Sequence, residues 1–235
     1  MTESYHSWYS PTLGKQFEML VFGESGFPLV LFPTSMGRYF ENKDFQLIES
    51  AAWFIENGLV RIYCPDSIDS LSWYNKGVHP SIRVHNHIQY DLMLHNELFP
   101  SILEQSGAGR LALAGCSFGA YHAMNYGFRH PERVKYIFSM GGAFDIKGQL
   151  DGYYSDDVYF NNPVDFIPSA SHPAFGDLHV ILGTGDHDIC YEANLRMAET
   201  LRNKHISHWL DVRPGANHDW PVWRSMFPHY LSMIR

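Results

Sequence analysis

At 235 residues the chain is long enough to bury one large core, and 17 Lys+Arg against 25 Asp+Glu leave a net charge of −8, which offers no basic footprint for a nucleic-acid backbone. Hydrophobic residues at 45% beside 18% charged are the balance of an ordered globular protein, so disordered and fibrous classes drop out. Cys64, Cys116 and Cys190 are widely spaced with no CxxC pair, no segment approaches the roughly 18 apolar residues of a membrane span, and the N-terminus lacks a basic-then-apolar leader; a protein of a reducing cytoplasm is expected.

Taken in order, residues 14–22 and 27–32 read as two strands separated by the turn Gly23-Glu-Ser-Gly26. Apolar residues at helical spacing (Phe45, Leu47, Ile48, Ala52, Ile55) predict a helix over 43–57, stopped by Gly58, with a strand over 59–64. The spacing of Ile82, Ile88, Leu92, Leu94 and Leu98 predicts a helix over 81–105 that Pro100 should kink or break. A strand at 110–114, a helix at 118–129 and a strand at 134–139 follow. Residues 143–176 show no periodicity and read as an insertion covering the functional site, within one domain spanning 1–235. The pattern then resumes as strand 178–182, helix 191–204, strand 208–212 and terminal helix 220–234. Strands alternating with helices in this way predict an α/β fold, a mostly parallel central sheet with helices on both faces.

Chemistry concentrates where the strand Leu111-Ala-Leu-Ala runs through Gly115-Cys-Ser117-Phe-Gly119 straight into a helix. A bare GxSxG arises by chance in about one chain of this length in ten; its place between strand and helix is what marks a nucleophile elbow, with Ser117 lifted above the sheet edge. A serine needs a base and an orienting acid, which in the α/β-hydrolase order follow as acid, then histidine. After the strand at 178–182, Gly183-Thr-Gly185-Asp186-His-Asp188 presents Asp188 and Asp186, between which spacing does not decide. His218, in the loop between the last strand and the last helix, is the expected base, with Asp219 capping that helix. Phe118 supplies one backbone amide for an oxyanion; the loop Pro33-Thr-Ser35-Met36-Gly37 supplies the other, from Ser35 or alternatively Met36. His87, Asp91 and His95 share a helical face without a metal-binding motif, and no metal or organic cofactor is expected. Cys116 beside the nucleophile should point away from the cleft. Trp73 and Tyr74, with Tyr153 and Tyr154 of the insertion, are the expected pocket wall, suited to a sugar or aryl group.

These residues resemble the Putative esterase (esterase D-like) family of α/β-hydrolases over nearly the whole chain. Family members resemble Gly185-Asp-His-Asp188-Ile-Cys-Tyr-Glu-Ala-Asn194, with an Asn six residues after the acid, and end in a segment like His218-Asp-Trp; Asn217 stands where Gly usually precedes the histidine. The resemblance implies the α/β-hydrolase fold, Asp188 as the acid, and serine-dependent hydrolysis of a small-molecule carboxylic ester through an acyl-enzyme on Ser117. An acyltransferase using the same triad, or a binding module on the same fold, would share these features.

Overall fold

The computed structural model describes residues 1–234. Eight strands form one sheet: β1 (Glu3–Ser10), β2 (Lys15–Phe22), β3 (Phe27–Phe32), β4 (Val60–Pro65), β5 (Leu111–Cys116), β6 (Val134–Met140), β7 (His179–Gly185) and β8 (His208–Arg213), in the order β1-β2-β4-β3-β5-β6-β7-β8. The strands from β4 through β8 run parallel, and β2 joins β4 antiparallel. Central strands such as β5 are buried along their whole length, as continuous apolar runs require when helices cover both faces.

Alternate side chains of these strands feed two cores. Val30, Phe32, Leu113, Ile137 and Leu182 face helices α1 (Pro80–Met93), α2 (Phe99–Ser106), α3 (Phe118–Arg129) and α4 (Tyr191–Asn203). Leu29, Leu31, Ala114, Cys116 and Phe138 face the short helices between β3 and β4 and the helix α5 (Trp220–Leu231). No helix among the described residues is long and apolar enough to cross a membrane.

Four local expectations are revised. β1 carries no apolar alternation and is exposed along most of its length, so its backbone pairing with β2, from Glu3↔Phe22 to Ser10↔Lys15, is what makes it a strand. The helix expected over 43–57 is three short helices, Glu41–Asp44, Leu47–Ser50 and Ala52–Glu56, because Gln46 takes a left-handed φ of 63° and Ala51 departs from helical geometry. Pro100 does not break its helix: a π-helical turn, Leu94–Leu98, precedes α2 and widens the backbone where the missing proline N–H and the ring would disrupt an α turn. The aperiodic stretch 143–176 holds four short helical pieces, Lys147–Gln149, Asp156–Tyr159, Pro163–Phe166 and Pro173–Asp177.

Candidate active site

The loops leaving the carboxyl ends of all six parallel strands meet on one side of the sheet, the usual position for a site in this architecture. At its centre Ser117 has φ 53° and ψ −116°, a conformation that L-residues avoid. The flanking glycines make it possible. A Cβ on Gly115 would lie 2.1 Å from the Gly119 carbonyl carbon, and one on Gly119 would lie 2.6 Å from the Pro33 carbonyl oxygen. Helix α3 therefore starts hard against the ends of β3 and β5, and the Ser117 side chain is directed out of the chain's path.

The Ser117 hydroxyl lies 2.9 Å from His218 Nε2, and His218 Nδ1 lies 2.8 Å from Asp188 Oδ1. A carboxylate only accepts, so Nδ1 carries the proton and Nε2 is left to accept from Ser117. Asp188 also accepts the Cys190 amide at 2.7 Å and is almost fully shielded, whereas the half-buried imidazole rests edge-on against the buried Trp223. Gly141, at φ 61°, leaves the room above β6 that this pair occupies: a Cβ there would come within 2.9 Å of Asp188 Oδ2 and 3.0 Å of His218 Nδ1. Asp186 does not reach the imidazole; it accepts the Gly215 amide at 2.7 Å and so braces the loop that carries His218. Asp219 accepts the Trp220 amide and caps α5. Asn194 joins α4 to the Gly142 carbonyl, holding the acid-bearing loop beside β6.

The loop after β3 is pinned by carboxylates. Glu41 takes the Thr34 amide at 2.7 Å, Asp69 takes the Met36 amide at 3.1 Å, and Asp66 takes the Tyr39 amide while forming an ion pair with Arg38. The Gly37 amide returns to the Thr34 carbonyl. Among the described residues, the Ser35 amide has no acceptor, and neither does that of Phe118. Ser35 and Phe118 are joined through Tyr74, whose hydroxyl donates to Ser35 Oγ at 2.8 Å and whose ring meets Phe118 edge-on. The Met36 amide, the alternative donor, is thus already engaged.

Three comparisons bear on this geometry. The family model described as "Putative esterase" matches residues 72–234. The chain belongs to this esterase family. It is an enzyme of the serine-hydrolase type that acts on carboxylic ester bonds. The esterase has no match among curated proteins. Its fold is that of a ferulic acid esterase (TM-score 0.79, 18% identical, covering 99% of this chain and 97% of that one). It is likewise similar to a fluorophosphonate-binding serine hydrolase of Staphylococcus aureus (TM-score 0.76, 14% identical, 99% and 98% covered). An S-formylglutathione hydrolase from the same organism gives TM-score 0.74 at 12% identity, with 99% and 98% covered.

Of the residues expected to wall a pocket, Tyr74 stands beside Ser35 and Phe118, whereas the others are placed differently. Trp73 is fully buried, packed on Tyr121 and His87 within a cluster that includes Phe118, and it supports the floor of the site without reaching its surface. Tyr153 packs on the same cluster beside His79, and Tyr154 points to Asp165, to which its hydroxyl donates at 2.7 Å. The helical trio is also separated: His87 contacts Tyr121 and Asn125, Asp91 pairs with Arg129 and His130, and His95 meets the Tyr126 hydroxyl. Burial holds the His87 imidazole well below its ordinary pKa. Cys116 lies in the core on the far face of the sheet, its pKa raised by burial.

Three groups escaped the sequence reading. Asp69 is completely buried, with its second oxygen 3.0 Å from His122 Nε2. His122 projects from α3 five residues after Ser117 and meets Phe118 edge-on. Cys190, half-buried next to the acid, has its thiol pushed up to about 11 by burial and by Asp188. Only the fold brings these together, since Asp69 and His122 stand 53 residues apart.

Proposed function

We propose that Ser117 is the nucleophile of this esterase, His218 its base and then its acid, and Asp188 the group that orients His218. The observation that carries the reading is the unbroken chain Ser117–His218–Asp188, at 2.9 and 2.8 Å, seated on a strained serine between glycines. Ser117 Oγ attacks the ester carbonyl while its proton passes to His218 Nε2. The amides of Phe118 and Ser35 stabilise the oxyanion, the alcohol departs with the proton from His218, and water releases the acyl group by the same steps in reverse.

The substrate is read as a small-molecule ester of a carbohydrate or an aryl group. Support comes from the ring of Tyr74 beside Phe118 at the site, and from neighbours described as ferulic acid esterases. Residues 143–176 serve as a wall of the cleft within a single catalytic domain, a role supported by the Arg83 contacts to Gln149 and Asp151 and by the packing of Ile146, Leu150 and Val158 against Phe118. A reducing cytoplasm is supported by the unpaired state of Cys64, Cys116 and Cys190.

Hydrolysis of p-nitrophenyl esters from acetate to decanoate, together with a feruloyl ester, tests the reading. Wild type should hydrolyse the feruloyl ester and the shorter acyl esters, and Ser117→Ala should lose about 10⁴-fold or more in kcat. Equal rates in both proteins would refute it.

A further inference from the structure

The triad has a neighbour that ester hydrolysis does not use. Cys190 stands two residues after the acid, at the entrance to α4, and its thiol, a carboxylate oxygen of Asp188 and a ring nitrogen of His218 all lie within 4.8 Å of one another. Among the described residues this is the one such group of three or more His, Cys, Asp or Glu side chains. Sulfur, imidazole nitrogen and carboxylate oxygen are the donor set of a borderline-soft cation. A zinc ion with bonds of about 2.0 to 2.3 Å places its ligand atoms about 3.3 to 3.7 Å apart. The 2.8 Å contact between Asp188 and His218 therefore has to open by less than about an ångström, with Cys190 turning inward to complete three corners of a tetrahedron.

We propose that Cys190 turns the Asp188–His218 pair into an inhibitory site for a thiophilic divalent cation of the zinc type. The proposal rests on the reading of His218 as the catalytic base: coordination through Nδ1, the nitrogen beside Asp188, shifts the Nδ1 proton by way of solvent to Nε2, separates the ring from its orienting carboxylate and leaves Nε2 a donor, with no acceptor for the Ser117 proton. The thiol gives up its proton to solvent as the metal–sulfur bond forms, and chelation of the metal reverses the change. Asp188 and His218 alone offer two donors, so the sulfur confers both the affinity and the preference for soft over hard cations. An esterase with this arrangement falls silent when free zinc rises and recovers when it is buffered.

Zinc titration of ester hydrolysis in wild type, Cys190→Ala and Cys190→Ser, with EDTA reversal and a magnesium control, reads the effect on activity. Cobalt(II) absorption of Ser117→Ala reads binding without activity, by the thiolate-to-cobalt charge-transfer band. Zinc should inhibit wild type reversibly, magnesium should not, and either Cys190 variant should need about tenfold more zinc or beyond. The cobalt band should appear in Ser117→Ala and vanish in the Ser117→Ala/Cys190→Ala double variant. Equal zinc sensitivity in all three proteins, absence of inhibition, or a cobalt spectrum unaffected by Cys190 would overturn the proposal. A Cys190-dependent cobalt band beside a wild type that hydrolyses no ester would keep the metal site and strike instead at the triad reading.

Discussion

Ser117 can hold its strained backbone only because the residues two positions to either side of it, Gly115 and Gly119, lack a Cβ. At Gly119 an added carbon would meet two backbone carbonyl oxygens of another strand's end, of Pro33 at 2.6 Å and Phe32 at 2.7 Å, which have no rotamer by which to withdraw. Gly119→Ala should therefore destabilise the protein by about 1–3 kcal/mol, or more if β3 cannot shift, and should also lower hydrolysis by displacing the elbow. Urea unfolding together with an ester assay measures both, and a variant with unchanged midpoint and rate would contradict this description of the turn. The elbow and His218 were legible in the sequence because their residue types and their places between strands and helices are both distinctive. Asp188 and Asp186 were not separable by spacing, since both follow a glycine by three, and only the family resemblance favoured Asp188; the fold sends Asp186 to the Gly215 amide.

At the scale of elements, the loop after β3 is an irregular segment held by side chains from elsewhere. Asp69, on the loop after β4, takes the Met36 amide, keeps Met36 at φ 58° and joins this loop through His122 to α3. Removing that carboxylate loosens one wall of the proposed oxyanion site and leaves the buried His122 without its carboxylate partner. Asp69→Ala should lower kcat by up to about 100-fold with a smaller change in KM, and Asp69→Asn, which keeps an acceptor for Met36 and a partner for His122, should restore much of the rate. Steady-state kinetics of the two variants decide the matter: a faster Asp69→Ala enzyme would show that the Met36 amide, once freed, is the true oxyanion donor. None of this could be read from the chain, because a carboxylate that serves an amide 33 residues earlier and an imidazole 53 residues later leaves no local pattern. Trp73 misled for a related reason: an aromatic in a loop after a strand reads as a pocket residue, whereas here the loop folds inward and buries it.

For the molecule as a whole, alternation of strand and helix was enough to predict a parallel sheet covered on both faces, because buried parallel strands carry a strong apolar signal. The edge strand β1 was missed, since an exposed strand held by backbone pairing has no such signal. Below the sheet's active side, α1 and α3 enclose His87 in contact with Tyr121 and Asn125, and burial depresses its pKa well below the ordinary 6.5. An unfolded chain binds a proton at this residue more readily than the folded one, so stability is fully present above about pH 6.5 and falls as pH drops below it. Each such proton contributes a slope approaching about 1.4 kcal/mol per pH unit. Urea unfolding between pH 7.5 and pH 5, chosen as roughly one unit above and one and a half below the ordinary imidazole value, should show this loss in wild type and a shallower one in His87→Gln. Parallel pH profiles for the two proteins would contradict the assignment.

The central claim is that Ser117 is the group that attacks the substrate, and covalent labelling tests it most directly. A fluorophosphonate probe, followed by peptide mass spectrometry, should place one adduct on Ser117 in the folded wild type and none on Ser117→Ala. An adduct on Cys116 or Cys190, or a folded wild type that takes no label, would contradict it.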